Sequence, residues 1–258
     1  MGRIMARELV DEISARNRNG QVTHAIIPCG PTCWYKPFTD LVNQEKVSLN
    51  NLVVFHMDES LDWQGRELPR RHPFSFHGYM EQNFYDPISQ NLAVPMENRI
   101  WLTATNLEEV AARISSTDID ITYGGLGQDG HIAYNQARRH PYSQITIDDL
   151  RQSTARIQEN NLDTIIAIAQ RNFGCAYQFV PPMSVTLGVK ECLSARKVRI
   201  FTDTGAWKQT ALRVALFSPL TVEYPITLLQ EHSDALITAT IATASHPFSD
   251  HPAWDLGL

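Results

Sequence analysis

No apolar stretch in this chain approaches the roughly 18 to 20 residues that a membrane-crossing helix needs, so no membrane partner is expected. Basic residues are sparse too. Twenty-two lysines and arginines stand against 28 acidic residues, for a net charge of −6, with no dense Lys/Arg block. A nucleic-acid surface carries a basic footprint, so that class of partner is set aside. Only four cysteines occur (Cys29, Cys33, Cys175 and Cys192), scattered and with no Cys-x-x-Cys pair. Neither a disulfide framework nor a zinc site fits that spacing, which points to reduced thiols and a cytoplasmic setting. The first dozen residues mix charge with apolar side chains and do not read as a secretory signal. His72, His77, His140, His246 and His251 stand apart without metal-ligand spacing, so no metal is expected.

What is present is a globular pattern of 258 residues, 43% of them hydrophobic, with no internal repeat or linker. A single domain over 1–258 is expected. Ile4, Leu9, Val10 and Ile13 form a helical stripe that stops at Asn19-Gly20. Ala25, Ile26 and Ile27 read as a short buried strand, and Leu52, Val53, Val54 and Phe55 as a strand buried on both faces. Trp34, Tyr35, Phe38, Leu41 and Val42 suggest a helix between them. Further strands are expected at 119–123, 198–201 and 235–240, with helices at 185–193 and 206–217. Strands alternating with helices argue for parallel βαβ units: an α/β fold with a doubly wound, mainly parallel sheet and helices on both faces. The polar stretch 137–161 shows little periodicity and reads as a lid or active-site loop. The tryptophans and the Phe74-Ser75-Phe76 cluster read as core or pocket wall. A chain of this class usually opens with a strand, so a short N-terminal element is expected to be missing.

Three clusters carry chemistry. Asp58 and Glu59 follow directly on a buried strand, at the rim where open sheets bind ligands. One carboxylate there can move a proton between neighbouring carbons of an open-chain sugar while the other serves the scaffold; a helix-capping role is the plainer alternative. The run Gly124-Gly125-Leu126-Gly127-Gln128-Asp129-Gly130-His131 places a carboxylate two residues from an imidazole. Such a pair suits ring opening of a sugar, and it suits activation of water on a lactone equally well. The turn Cys29-Gly30-Pro31-Thr32 offers backbone N–H groups and a hydroxyl for a phosphate, although Pro31 removes one donor. Arg171 and Lys208 are further candidate phosphate partners by charge, although single basic residues are more often solvated.

Three sets of residues together resemble the glucosamine-6-phosphate deaminase/isomerase family. They are Met57-Asp58-Glu59, His72-Pro73-Phe74-Ser75-Phe76 with Asn83-Phe84-Tyr85-Asp86, and the glycine run continuing through Ile132-Ala133-Tyr134-Asn135. Val185-Thr186-Leu187-Gly188-Val189 and the strand after it extend the likeness, which runs from about Ile26 to Ala239. The resemblance implies a Rossmann-like three-layer fold and a hexosamine 6-phosphate such as glucosamine 6-phosphate as substrate. It implies Asp58 as the base working between C1 and C2, His131 as the ring-opening acid–base group and Asp129 as its orienting partner. Gly30, Thr32, Arg171 and Lys208 become the phosphate subsite. No metal or organic cofactor is implied, and a homo-oligomer is expected, since family members often are oligomers.

One position departs from the family. The glutamate that completes an Asp–His–Glu relay there is Gln136 here. A hydrogen bond to a charged group contributes roughly 1.5 to 3 kcal/mol and a neutral one about 0.5 to 1.5. The difference of around 1 kcal/mol costs several-fold in rate. Arg138 and Arg139 nearby suggest a second anion. Two alternatives therefore stand beside the isomerase/deaminase: a hydrolase like the 6-phosphogluconolactonases, which share the glycine–Asp–Gly–His run but lack Met-Asp-Glu, and a sugar-phosphate-binding protein with impaired catalysis.

Overall fold

Strands that are apolar on both faces have to be covered on both, and this requirement organises the chain. The computed structural model describes residues 1–137, 142 and 144–246. Along it run α1 (Gly2–Arg18), β1 (Thr23–Ile27), α2 (Tyr35–Glu45), β2 (Leu52–His56), β3 (Asp58–Leu61), α3 (Phe76–Met80), β4 (Arg99–Ile100), α4 (Leu107–Ser115), β5 (Ile121–Gly125), α5 (Ile147–Arg151), β6 (Arg156–Glu159), α6 (Leu162–Asn172), β7 (Met183–Thr186), α7 (Val189–Cys192), β8 (Lys197–Thr202), α8 (Gln209–Phe217), β9 (Ala235–Ala239) and α9 (Ile241–Ala244).

Six strands form one parallel sheet in the order β4-β2-β1-β5-β8-β9. The chain leaves β1 toward β2 and β4, then returns to β5 on the other flank and continues to β8 and β9. That is a doubly wound order with its reversal between β1 and β5. Successive residues face opposite sides, as strand geometry demands. Ala25, Ile27, Leu52, Val54, Ile121 and Tyr123 pack with α1 and α2, whereas Ile26, Val53, Phe55, Val198 and Ile200 pack with α4, α7 and α8. The three-layer architecture follows from that alternation.

A second, antiparallel sheet, β3-β7-β6, sits beside the large one. It corrects two expectations. The 185–193 segment is not one helix: β7 ends at Thr186 and a single turn, α7, starts at Val189. Its apolar residues suit helical spacing, but pairing with β3 on one side and β6 on the other decides the outcome. Within the stretch expected to be a lid or loop, residues 146–159 likewise carry structure. Thr146 caps α5 in a reciprocal capping box with Asp149, and β6 follows. Arg138 and Arg139 lie outside the described residues. The helix expected at 206–217 begins as a 3-10 turn, Gly205–Lys208, before α8.

On the α1/α2 face the core is aromatic. The Trp34 ring lies 5.0 to 5.5 Å from the rings of Tyr35, Phe38, Phe84 and Tyr123. Trp63 and Trp207, by contrast, are exposed at 74% and 43%, so not every tryptophan belongs to core or pocket. Trp34→Ala empties the centre of that cluster and is expected to cost about 3–5 kcal/mol of unfolding free energy in urea titration. A loss below about 1 kcal/mol would contradict this view of the core.

Candidate active site

Where β1 and β5 end, their connections diverge, and the crevice between them is where open α/β sheets hold ligands. A cavity of about 480 Å³ opens there. The turn after β1 supplies Gly30 and Thr32, and the loop after β5 supplies Gly127, Gln128 and His131. β3 contributes Asp58, α6 contributes Thr164, Ile168 and Arg171, and the turn before α8 contributes Lys208. Of the residues singled out from the sequence, Asp58, His131, Gly30, Thr32, Arg171 and Lys208 therefore share one cavity wall. Asp129 and Gln136 lie buried just behind it.

Asp58 and Glu59 point to opposite sides of β3 and have divided their work. Glu59 accepts backbone N–H bonds from Ser60 (2.8 Å), Phe76 (2.8 Å) and His77 (2.7 Å). It thereby anchors the first turn of α3, with Ser75 capping that turn at Gly78. Phe74, Phe76 and Tyr79, from this anchored segment, wall the cavity. Asp58 faces the cavity instead. Burial, reinforced by the neighbouring Glu59, pushes its carboxyl up to about 7, and the charge of His131 opposes the rise.

The Asp129–His131 pair is compact. His131 Nδ1 lies 2.5 Å from Asp129 Oδ1. Burial favours a protonated Asp129, but His131 and the backbone N–H groups outweigh it and hold the carboxyl below the usual range. The imidazole comes so close to the chain that a Cβ on Gly127 would lie 2.3 Å from its Nδ1; only glycine fits there. The loop is tied to the small sheet as well. Tyr134 N–H donates to Thr186 Oγ1 at 3.0 Å, and Thr186 pairs in register with Asp58. Asn135 Nδ2 also donates to Leu187 O at 2.9 Å. One strand, β7, thus sets the spacing between Asp58 and His131.

Gln136 is placed differently from the relay position expected of it. Its Oε1 accepts the Asn161 N–H at 2.8 Å and its Nε2 donates to Thr164 Oγ1 at 2.6 Å. The amide is committed to the start of α6 rather than to His131.

At the far end of the cavity, Arg171 and Lys208 are both partly desolvated. Burial lowers the Arg171 guanidinium and pulls the Lys208 ammonium down to about 8, with Asp203 opposing and Arg171 assisting. Cationic groups short of water are ready for an anion. Thr164 and Arg171 stand seven residues apart on one face of α6, so helix rise separates the two ends of the cavity by roughly 10 Å. Among the described residues, no group of three His, Cys, Asp or Glu side chains is arranged to hold a metal.

Sequence reading missed four cavity or support residues: Gln128, Tyr134, Thr164 and Thr186. The i, i+4, i+7 spacing of Thr164, Ile168 and Arg171 was the available signal for α6, with Arg171 as its anchor.

No family model matches the chain. It is 36% identical over 212 residues to the glucosamine-6-phosphate deaminase of Phocaeicola vulgatus, covering 80% of this chain and 73% of that protein. It is 33% identical over 239 residues to the glucosamine-6-phosphate deaminase of Caenorhabditis elegans, covering 91% and 83%. Among solved structures, the chain superposes on a monomeric glucosamine-6-phosphate deaminase with a TM-score of 0.76 at 23% identity, covering 94% of each. It superposes on the 6-phosphogluconolactonase of Trypanosoma brucei with a TM-score of 0.63 at 16% identity, covering 95% of each. The two structural likenesses speak to the fold alone.

The raised Asp58 carboxyl has a stability consequence. Its folded pKa lies above the ordinary value of 3.8, so the folded state binds the proton more tightly than the unfolded chain. Stability is therefore lost as pH rises from about 4 through about 7. Asp58→Asn removes that ionisation and is expected to stabilise the protein at pH 8 by on the order of 2 kcal/mol, with the gain shrinking toward pH 5. A gain that does not change with pH in urea titrations would contradict the shift.

Proposed function

The chain belongs to the glucosamine-6-phosphate deaminase family, and from that premise we propose that it is an aldose–ketose isomerase/deaminase acting on a hexosamine 6-phosphate. Glucosamine 6-phosphate is the type substrate, with ammonia and a ketohexose 6-phosphate as products. The observation that carries this reading is the pairing of Asp58 with the Asp129–His131 pair in one cavity that has Arg171 and Lys208 at its other end.

In this reading the phosphate binds between Arg171, Lys208 and the turn at Gly30 and Thr32. His131, oriented by Asp129, delivers a proton to the ring oxygen as its bond to C1 breaks, and takes up the proton of the C1 hydroxyl, which becomes the aldehyde. Asp58 then takes the proton from C2 of the aldehyde form while His131 returns one to the C1 oxygen, leaving an enolamine, and Asp58 delivers its proton to C1. The C2 imine that results adds water, and its C–N bond breaks to give the ketone and ammonia. A carboxyl poised at about 7 suits a group that must both accept and return a proton near neutrality. Burial also raises the Tyr134 phenol, and Asp58 adds to the rise, so that side chain stays a neutral wall beside the base.

The same proposal takes the whole chain as one domain, because both sheets deliver residues to the one cavity. It also includes the cytoplasmic setting, in keeping with four free thiols. The lactonase alternative needs Asp129 and His131 but not Asp58, so one substitution separates the two.

Ammonia release from glucosamine 6-phosphate and its galactosamine epimer tests the reading. Wild-type protein is expected to turn over one of them. Asp58→Asn and His131→Ala are each expected to lose about 100- to 10,000-fold in kcat. Asp58→Asn turning over at the wild-type rate would overturn the assignment, and hydrolysis of a phosphogluconolactone by that variant would favour the lactonase.

A further inference from the structure

Behind the Asp129–His131 pair, one hydroxyl gathers three side chains. Thr164, 3% exposed, sits in the first turn of α6. Its Oγ1 accepts Gln136 Nε2 at 2.6 Å and Gln128 Nε2 at 3.1 Å, and it lies 3.5 Å from Asp129 Oδ2 as donor. The orientation of the Gln136 amide is set independently, because the Asn161 N–H can donate only to its oxygen, which turns the NH₂ group toward Thr164. A hydroxyl has two acceptor positions and one proton. With both acceptor positions taken by amides, its proton has one destination left, Asp129 Oδ2.

We infer that Thr164 is a positioning residue for the Asp129–His131 pair and that Gln136 acts through it, as a neutral donor network standing where a charged relay is expected. Oδ1 of Asp129 lies 2.5 Å from His131 Nδ1 and Oδ2 lies 3.5 Å from the Thr164 hydroxyl, so contacts at both oxygens restrain the carboxylate beside the imidazole. The network also sets α6 itself. Asn161 donates its backbone N–H to Gln136 and its side-chain amide to Ala137 O at 3.0 Å, which pins the helix start to the segment after His131. Arg171, two turns on, takes its place from the same anchor. A glutamate at 136 would accept the Thr164 proton and withdraw it from Asp129, so glutamine is the side chain this arrangement requires.

The inference rests on the proposed proton-transfer role of His131, and its test separates the two. Thr164→Val keeps the shape and deletes the hydroxyl; Thr164→Ser keeps the hydroxyl. The His131 imidazole is titrated by NMR in substrate-free protein, where the other titratable groups facing it are Asp129, Asp58 from β3 and Tyr134, stacked at 5.9 Å. Without the Thr164 donor, Asp129 becomes the stronger partner of the imidazolium. Thr164→Val is therefore expected to raise the His131 midpoint by about half a unit to one unit. Its kcat on the hexosamine phosphate is expected to fall about 3- to 30-fold with KM little changed. Thr164→Ser is expected to stay at wild type in both. Should the valine variant not fold, Thr164→Ala carries the same expected shift. An unmoved His131 midpoint in the hydroxyl-free variant would overturn the inference. Absence of turnover in wild type would overturn the proposed function while leaving the titration to decide the role of Thr164.

Discussion

Two neighbouring carboxyl groups are buried at the end of a hydrophobic strand, and the surrounding structure exists to make that tolerable. Taking charge out of water is costly unless it is hydrogen-bonded or neutralised. Glu59 offsets part of the cost through three backbone N–H donors and in doing so anchors α3 and the wall it carries. Burial nevertheless pushes both carboxyls up to about 7, Glu59 in spite of those donors and Asp58 with Glu59 adding to the rise, and Asp58 is the one that faces the cavity. The small sheet serves both. Its strand β7 pairs with the strand that bears Asp58 and receives, at Thr186, the loop that bears His131.

Helix α6 makes the same cavity long enough for an extended phosphorylated sugar. Its first turn meets the Asp129–His131 pair through Thr164, and its last turn carries Arg171 to the basic end, where the phosphate is proposed to bind. Both ends are referred to one rigid rod, so a shift at Gln136 or Asn161 would be felt at Arg171. Preorganisation of this kind is where much of a catalytic rate comes from.

Legibility in the sequence followed the range of the interactions. β1, β2, β5, β8 and β9 were readable because an apolar run is a local signature of a strand buried on both faces. Asp129 and His131 were readable because the pair is only two residues apart in a glycine loop. The 185–193 segment was not, since its strand is decided by two partners remote in sequence, and the chain turns at Gly188, where a Cβ would meet Ser153 O at 2.0 Å. Thr164 was invisible for a related reason. Nothing about a threonine in an amphipathic helix shows that a loop thirty residues upstream will aim two amides at it. Gln136 was noticed as a departure from its family, but its true neighbours, Thr164 and Asn161, depend on how α6 docks.

The role given to Asp58 is most directly tested with glucosamine 6-phosphate carrying deuterium at C2, followed by NMR in ordinary water. Movement of the C2 hydrogen through the buried carboxyl requires the label to appear at C1 of the ketose or in the solvent as ammonia is released, and to stay at C2 when Asp58 is replaced by Asn. Label that remains at C2 with the wild-type protein, or that moves equally well without the Asp58 carboxyl, would contradict it.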